Sequence, residues 1–180
     1  MTRRQARYSL TAKTLHWLIA ILVICMIPLG WFMSGLSNED PWYYRAFDLH
    51  LTLGVVVLTV FFIKIIWMLI SPNPKLADSL ARWEYWSART VHGLLTGSLA
   101  VVPALGYLST TTQGDPVVIY ELLEIPSLVE LSEEATELLI ELHMVFAYGT
   151  AALVIIHVLA VARHLYIKRD GIFKRMSFRR

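Results

Sequence analysis

The last long apolar stretch of the chain, residues 138–166, most constrains its fold, because it is long enough to cross a bilayer as a single helix. It also contains histidines, which are costly in a membrane helix unless they have a partner. His143 and His157 lie 14 positions apart, which corresponds to about four helical turns and about 21 Å along the axis. The two imidazoles are therefore predicted to lie on nearly the same face of one helix, at two depths.

The composition indicates a membrane protein. Of the 180 residues, 56% are hydrophobic and the mean hydropathy is +0.55, whereas roughly 45 to 50% of an ordinary soluble domain is apolar. Cys25 is the single cysteine. The sequence therefore offers no disulfide, no thiolate metal cluster and no motif for covalent haem attachment.

The distribution of charge predicts the topology. Lys and Arg cluster near the N-terminus, between residues 75 and 89, and after residue 162, and they are absent from residues 90–162. The positive-inside rule then places both termini and the loop over residues 71–89 in the cytoplasm. The bias indicates orientation in a membrane, and no nucleic-acid partner is expected.

Four apolar segments predict the fold class, an all-α membrane protein. The expected architecture is a four-helix transmembrane bundle with both termini cytoplasmic, in a single domain over residues 1–180. A signal peptide is the alternative for the first segment, but its apolar run is longer than the usual h-region of about 7 to 15 residues, and no cleavage site follows it. The predicted helices cover about residues 15–36, 46–70, 87–109 and 132–167.

The connection over residues 110–137 is the longest polar one, and it is acidic. It is predicted to lie outside the membrane, with a short interfacial helix over residues 117–123. Ser132, followed by Glu133 and Glu134, has the pattern of a helix N-cap with acidic residues in the first turn. The fourth helix is therefore predicted to begin there.

Within this topology the histidines sort into two levels. His50 and His143 lie in the early turns of helices that enter from outside, and we name them the outer pair. His16 begins the first helix and His157 lies near the inner end of the fourth, and we name them the inner pair. His92 competes with His16, because the two have similar depths, and His16 is preferred. Matched pairs at two levels are predicted to be metal ligands.

Two imidazoles per level, without a nearby thiolate or carboxylate, make a poor zinc site. They suit six-coordinate haem iron, in which the porphyrin supplies four nitrogens and the protein supplies two axial ligands. Such an iron has no open position for oxygen chemistry, so the expected task is the transfer of single electrons. A non-haem metal or proton transporter that uses the same histidines is the alternative.

Other residues are candidates beside these two levels. Gly54, one turn after His50, and Gly30 either leave room beside the outer site or serve helix packing. Lys64 is either a snorkelling cation or a partner for a haem propionate. His164, at the inner interface, contacts a quinone head group or a haem propionate in one interpretation and is solvated in the other.

Several short motifs, in order and with their spacing kept, resemble the bacterial cytochrome b561 family. Its members are small four-helix dihaem proteins related to Ni/Fe-hydrogenase cytochrome b subunits. The matching motifs are LHW at Leu15–Trp17, HxxxG at His50–Gly54, ISPxP at Ile70–Pro74, GYLST at Gly106–Thr110, and KRDGIFKRM at Lys168–Met176.

The resemblance implies two non-covalent haem b groups in the bacterial inner membrane, with His16 and His157 as one ligand pair and His50 and His143 as the other. It also implies electron exchange with a membrane quinone such as ubiquinone. Some family members oxidise superoxide while they reduce ubiquinone. Lys64 stands where an arginine is expected in relatives, and the acidic outer loop would repel superoxide and attract a cationic partner.

The predicted function is that of a dihaem b-type cytochrome that transfers single electrons between membrane quinone and a periplasmic donor or acceptor. Its expected partners are membrane lipid, quinone and a periplasmic electron-transfer protein. One alternative is a superoxide:ubiquinone oxidoreductase. Another is the haem-bearing membrane anchor of a larger dehydrogenase or hydrogenase.

Overall fold

Four long helices form the structure, a computed structural model that describes residues 7–71, 74–75, 80–111, 116–119 and 123–178. Each is long and apolar enough to cross a membrane, which confirms the four predicted spans. The helices are α1 (Leu10–Ser34), α2 (Pro41–Ile70), α3 (Arg82–Thr110) and α4 (Glu133–Ala162).

Local capping explains why three of the helices begin earlier than the hydrophobic pattern predicts. The side chain of Ser9 accepts a hydrogen bond from the backbone of Ala12 at 3.2 Å, so α1 begins before its apolar run. Asp40 caps α2 in the same way, and proline occupies the first helical position. Glu84 accepts from the backbone N–H of Ala81 at 3.0 Å at the start of α3. These polar first turns lie outside the apolar runs.

The start of α4 agrees with the prediction. The hydroxyl of Ser132 accepts a hydrogen bond from the backbone N–H of Ala135 at 3.3 Å, and Glu133 and Glu134 occupy the first turn. Both carboxylates lie where the positive end of the helix dipole favours negative charge.

The connection between α3 and α4 contains a small antiparallel β-hairpin. Its strands are β1 (Val117–Ile119) and β2 (Leu123–Ile125), with Val117 opposite Ile125. The short helix predicted over residues 117–123 is therefore wrong at β1 and at Leu123, and residues 120–122 lie outside the described part. β-branched residues favour the extended backbone here, and Val117 becomes buried where β1 packs against α2.

The helices pack in chain order, with α1 on α2, α2 on α3, and α3 on α4. The buried apolar cluster lies among the first three helices, whereas Thr150 is the one buried residue of α4. The backbone of α4 therefore approaches α1 and α2 much less closely than it approaches α3. The cluster consists of Leu15, Ile19, Val57, Val60 and Leu99.

Residues 163–178, which we name the terminal segment, fold back across one end of the bundle. A π-helical turn, Arg163–Lys168, is followed by a reversal in which Arg169 and Gly171 have φ angles of 50° and 78°. The short 3-10 helix Ile172–Arg175 completes the segment. Glycine adopts the left-handed conformation of Gly171 without steric cost.

Hydrogen bonds connect this segment to the start of α1. The amine of Lys13 donates to the carbonyl of Ser177 at 3.0 Å, and the indole of Trp17 donates to the carbonyl of Met176 at 3.1 Å. The two ends of the described chain therefore lie at the same end of the bundle, which we name the terminal end. The opposite end carries the hairpin and is named the hairpin end.

Candidate functional site

The outer pair lies in contact across the interior, between α2 and α4. The ring centroids of His50 and His143 are 6.1 Å apart, with an angle of 77° between the ring planes. Nδ1 of His143 donates a hydrogen bond to the backbone carbonyl of Val102 on α3, at 2.9 Å. This bond requires the proton on Nδ1, so the lone pair of Nε2 is available to bind a metal.

Two glycines make room for these rings. A Cβ atom on Gly30 of α1 would lie 3.2 Å from Cε1 of His50, and one on Gly106 of α3 would lie 3.0 Å from both Cε1 and Nδ1 of His143. Each ring thus rests against the backbone of a neighbouring helix. A side chain at either position would force the imidazole to shift by a few tenths of an ångström.

The sequence predicted room at Gly30 and did not indicate that Gly106 would lie against His143. In the sequence, Gly106 belongs to a family motif and to a row of small residues on the third helix that favours close packing against a neighbour or a flat ligand. Its contact with His143 was not predicted, because that contact depends on how two helices pack. At Gly54, an added Cβ would make an ordinary contact at 4.0 Å with Met26 of α1. Both roles predicted for Gly54, room beside the outer site and helix packing, stay predictions.

The inner level brings together three imidazoles from three helices. The ring centroids of His16 and His157 are 6.4 Å apart, and those of His92 and His157 are 5.3 Å apart. None of the three rings forms a hydrogen bond with a residue that the structure describes. Lys64 on α2 is close enough to act electrostatically on both His16 and His92.

The distances can be compared with those expected for one iron between two rings. A bond from a metal to an imidazole nitrogen is about 2 Å long, so two rings on opposite sides of one metal have centroids about 6 Å apart. The outer pair at 6.1 Å and the inner pair at 6.4 Å fit this spacing. His92 and His157, at 5.3 Å, lie closer together than the spacing requires.

His164 has a partner within the terminal segment. Its Nδ1 donates to a carboxylate oxygen of Asp170 at 2.6 Å, and its side chain is only 13% exposed. The other oxygen of Asp170 accepts from the backbone of Ile172 at 3.2 Å. His164 is therefore held in place and is not freely solvated, and the surface cleft beside it includes Arg169 and Lys174.

An ionic cluster that sequence reasoning missed joins α3 to the terminal segment. Glu84 accepts from the guanidinium of Arg163 at 2.6 Å and from the amine of Lys168 at 2.7 Å. The Glu84 side chain is 6% exposed, whereas that of Arg163 is 42% exposed and also covers the ring of Trp83. The sequence signal was that Glu84 is one of few acidic residues among the basic residues predicted at this end.

Comparison with known proteins agrees with this geometry. A family model described as prokaryotic cytochrome b561 matches residues 7–179. The chain belongs to the prokaryotic cytochrome b561 family. The resemblance inferred from the short motifs is thus confirmed, and membership in this family implies a b-type haem.

Individual relatives match along nearly their whole length. Cytochrome b561 homolog 2 of Escherichia coli (strain K12) is 30% identical over 175 residues, which cover 97% of this chain and 93% of that protein. Cytochrome b561 homolog 1 of the same organism is 26% identical over 180 residues, with 97% and 98% covered. A Yersinia pestis protein named probable superoxide oxidase CybB is 22% identical over 172 residues, with 94% and 95% covered.

The family and the four spans together establish the class of protein. The chain is a multi-pass protein of the bacterial inner membrane and a cytochrome of the b561 family. Its expected all-α, four-helix transmembrane fold is confirmed, with the β-hairpin as an addition outside the spans.

Proposed function

We propose that this b561-family protein is a dihaem cytochrome that transfers single electrons across the inner membrane, between membrane quinone and a periplasmic donor or acceptor. The observation that carries the proposal is the pairing of both α4 histidines with imidazoles on other helices. The centroid distances, 6.4 Å at the inner pair and 6.1 Å at the outer pair, suit one iron at each level.

In this proposal the side chains of the chain have distinct tasks. His16 and His157 would hold the haem iron at the inner level, and His50 and His143 would hold the one at the outer level. The carbonyl of Val102 fixes the tautomer and orientation of His143. Bound haem would supply a one-electron couple at each level.

The spacing of the ligands along α4 supports transfer across the membrane. His143 and His157 are separated by about 21 Å along the helix, most of the hydrocarbon thickness of about 30 Å. If two imidazoles hold the iron at each level, the iron would have no open coordination site for oxygen. Electron transfer is then the expected chemistry.

Charge supports one orientation of the bundle. The terminal end carries basic residues, including Lys13, Arg163 and Lys168, whereas the hairpin end carries exposed acidic residues, including Glu130 and Glu134. By the positive-inside rule we assign the terminal end, and with it both termini, to the cytoplasm. The inner pair would then lie near the cytoplasmic interface.

Two further residues have proposed roles at the terminal end. Lys64, beside His16 and His92, would neutralise a haem propionate. His164, held by Asp170 next to a cleft that includes Arg169 and Lys174, would contact a quinone head group or a propionate. Ubiquinone is the proposed quinone.

The proposal is tested by the haem content of the purified protein. A dithionite-reduced minus oxidised spectrum should show b-type haem, and a pyridine haemochrome assay should give about two haems per chain. A redox titration should resolve two components, because the surroundings of the two levels differ. A colourless protein, or one haem per chain in fully loaded material, would contradict the proposal.

A second candidate function is superoxide:ubiquinone oxidoreductase, favoured by the similarity to the Yersinia pestis protein named probable superoxide oxidase CybB. The acidic hairpin end opposes it, because its field repels anions. Superoxide should be mixed with the oxidised protein in a stopped-flow instrument at several ionic strengths. Haem reduction near the diffusion limit supports this candidate, and slow reduction even at high salt, where charge is screened, excludes it.

A further inference from the structure

The inner level contains one imidazole more than a haem with two axial histidines needs. His16 from α1 and His92 from α3 both face His157 of α4. The outer level has only His50 and His143. The remaining histidine of the chain, His164, is bound to Asp170 in the terminal segment.

We infer that His92 is a second axial ligand for the inner iron, which replaces His16 when His16 is absent or displaced. The inference depends on the proposed haem ligation. The exchange is a substitution of ligands, in which the lone pair of one imidazole nitrogen leaves the iron and that of another takes its place. No electron is transferred in this step.

The distances explain why His16 is the resident ligand. The ring of His92 lies about 1 Å closer to His157 than the ring of His16 does. An iron between two imidazoles needs centroids about 6 Å apart, so His92 must move outward by about 1 Å before it can coordinate opposite His157. A rotation of the side chain is enough for a movement of this size.

The surroundings of His92 leave it free to make this movement. Its side chain is exposed in the protein alone, and it has no hydrogen-bond partner among the described residues. An imidazole in a membrane-spanning helix is costly without a partner, which favours a partner that is not part of the chain.

The three inner rings do not form a site for one bare metal ion. Within the described ranges, no group of three or more histidine, cysteine or acidic side chains is placed to hold a metal together. In the proposed exchange, His16 and His92 bind opposite His157 one at a time.

The test compares the loss of His16 with the loss of its counterpart at the outer level. Full-length wild type, His16→Ala, His16→Ala/His92→Ala and His50→Ala should be purified, and their haem content and electron paramagnetic resonance spectra measured. We expect His16→Ala to keep both haems in the low-spin state, with altered g-values for the inner one. The double variant should lose the inner haem, and His50→Ala should lose the outer haem, which has no replacement ligand.

The haem that remains in each variant reports whether the bundle has folded. If His16→Ala accumulates poorly, His16→Gln provides a side chain of similar size without an imidazole. The inference would be overturned if the His16 variants lost the inner haem as completely as His50→Ala loses the outer haem. Equal retention in the single and double variants would also overturn it. A wild type without two haems would instead overturn the proposed function.

Discussion

The outer and inner levels use the same helix, α4, yet they differ in what surrounds its histidines. At the outer level, the backbones of Gly30 and Gly106 touch the two rings, and a carbonyl orients one of them. At the inner level, an added Cβ on Gly93 or Gly97 would meet nothing within 4 Å in the described structure. Close packing therefore determines the positions of the outer rings.

The inner level is instead defined by polar side chains. It contains the third imidazole of His92 and the amine of Lys64, and the terminal segment covers the nearby start of α1. Because α4 presents equivalent imidazoles to both levels, the difference comes from α1, α2 and α3. We therefore expect substitutions at the outer level to disturb haem binding, and the inner level to adapt to the loss of a ligand.

The largest expected effect is the loss of one haem when either α4 histidine is replaced. His143→Ala should remove the outer haem and His157→Ala the inner one, so that each variant keeps about half of the haem measured by the haemochrome assay. Val145→Ala is the matched control, because this residue lies on the same helix between the two levels and is 65% exposed. Full haem content in His143→Ala or His157→Ala would refute the ligand assignment.

A smaller, level-specific effect is expected from Gly106→Ala. The added methyl group would lie 3.0 Å from the His143 ring, and overpacking of this kind costs about 1 to 3 kcal/mol. We expect the outer haem to be retained about tenfold less tightly, as measured by transfer to apomyoglobin, with the inner haem unchanged.

Gly97→Ala provides the control on the same helix, because its added methyl group would meet no described atom within 4 Å. This variant should retain the outer haem like the wild type. Equal damage from both substitutions would show that the whole row of glycines on α3 determines haem fit, and would remove the special role of Gly106.

Substitution of Lys64 should change the midpoint potential of the inner haem without removing either haem. A positive charge near an iron favours its reduced form, so Lys64→Met should lower the midpoint potential of the inner haem. The expected change is roughly 60 mV, the equivalent of a tenfold change in the equilibrium for one electron. Lys64→Arg, which keeps the positive charge, should leave the midpoint potential of the inner haem near the wild-type value. A shift confined to the outer haem would contradict the proximity of Lys64 to His16 and His92.

The smallest effect on the haems is expected from Glu84→Gln. This change removes the charge that joins α3 to Arg163 and Lys168, so the terminal segment should detach more often. Limited trypsin digestion should then cleave near Arg169 several-fold faster, while both haems remain. Glu130→Gln, at an exposed carboxylate on the hairpin end, is the control. Unchanged cleavage in Glu84→Gln would show that other contacts hold the segment.

The sequence by itself determined the four spans, the family and the two-level placement of His143 and His157. These features follow from hydropathy and from the helical repeat, which act within one segment of chain. The N-cap at Ser132 was also predicted correctly, because capping depends on residues within one turn of the chain. The polar first turns of α1, α2 and α3 were missed, because capping residues extend a helix beyond its apolar run.

Only the tertiary structure decided which rings face each other and how closely. The distances of 6.4 Å and 5.3 Å from His157 to His16 and His92, and the contact of Gly106 with His143, depend on how separate helices pack. The β-hairpin, predicted in part as a helix, likewise depends on the burial of Val117 where β1 packs against α2. Contacts between distant parts of a chain leave no periodic signal in either part, so local patterns could not predict them.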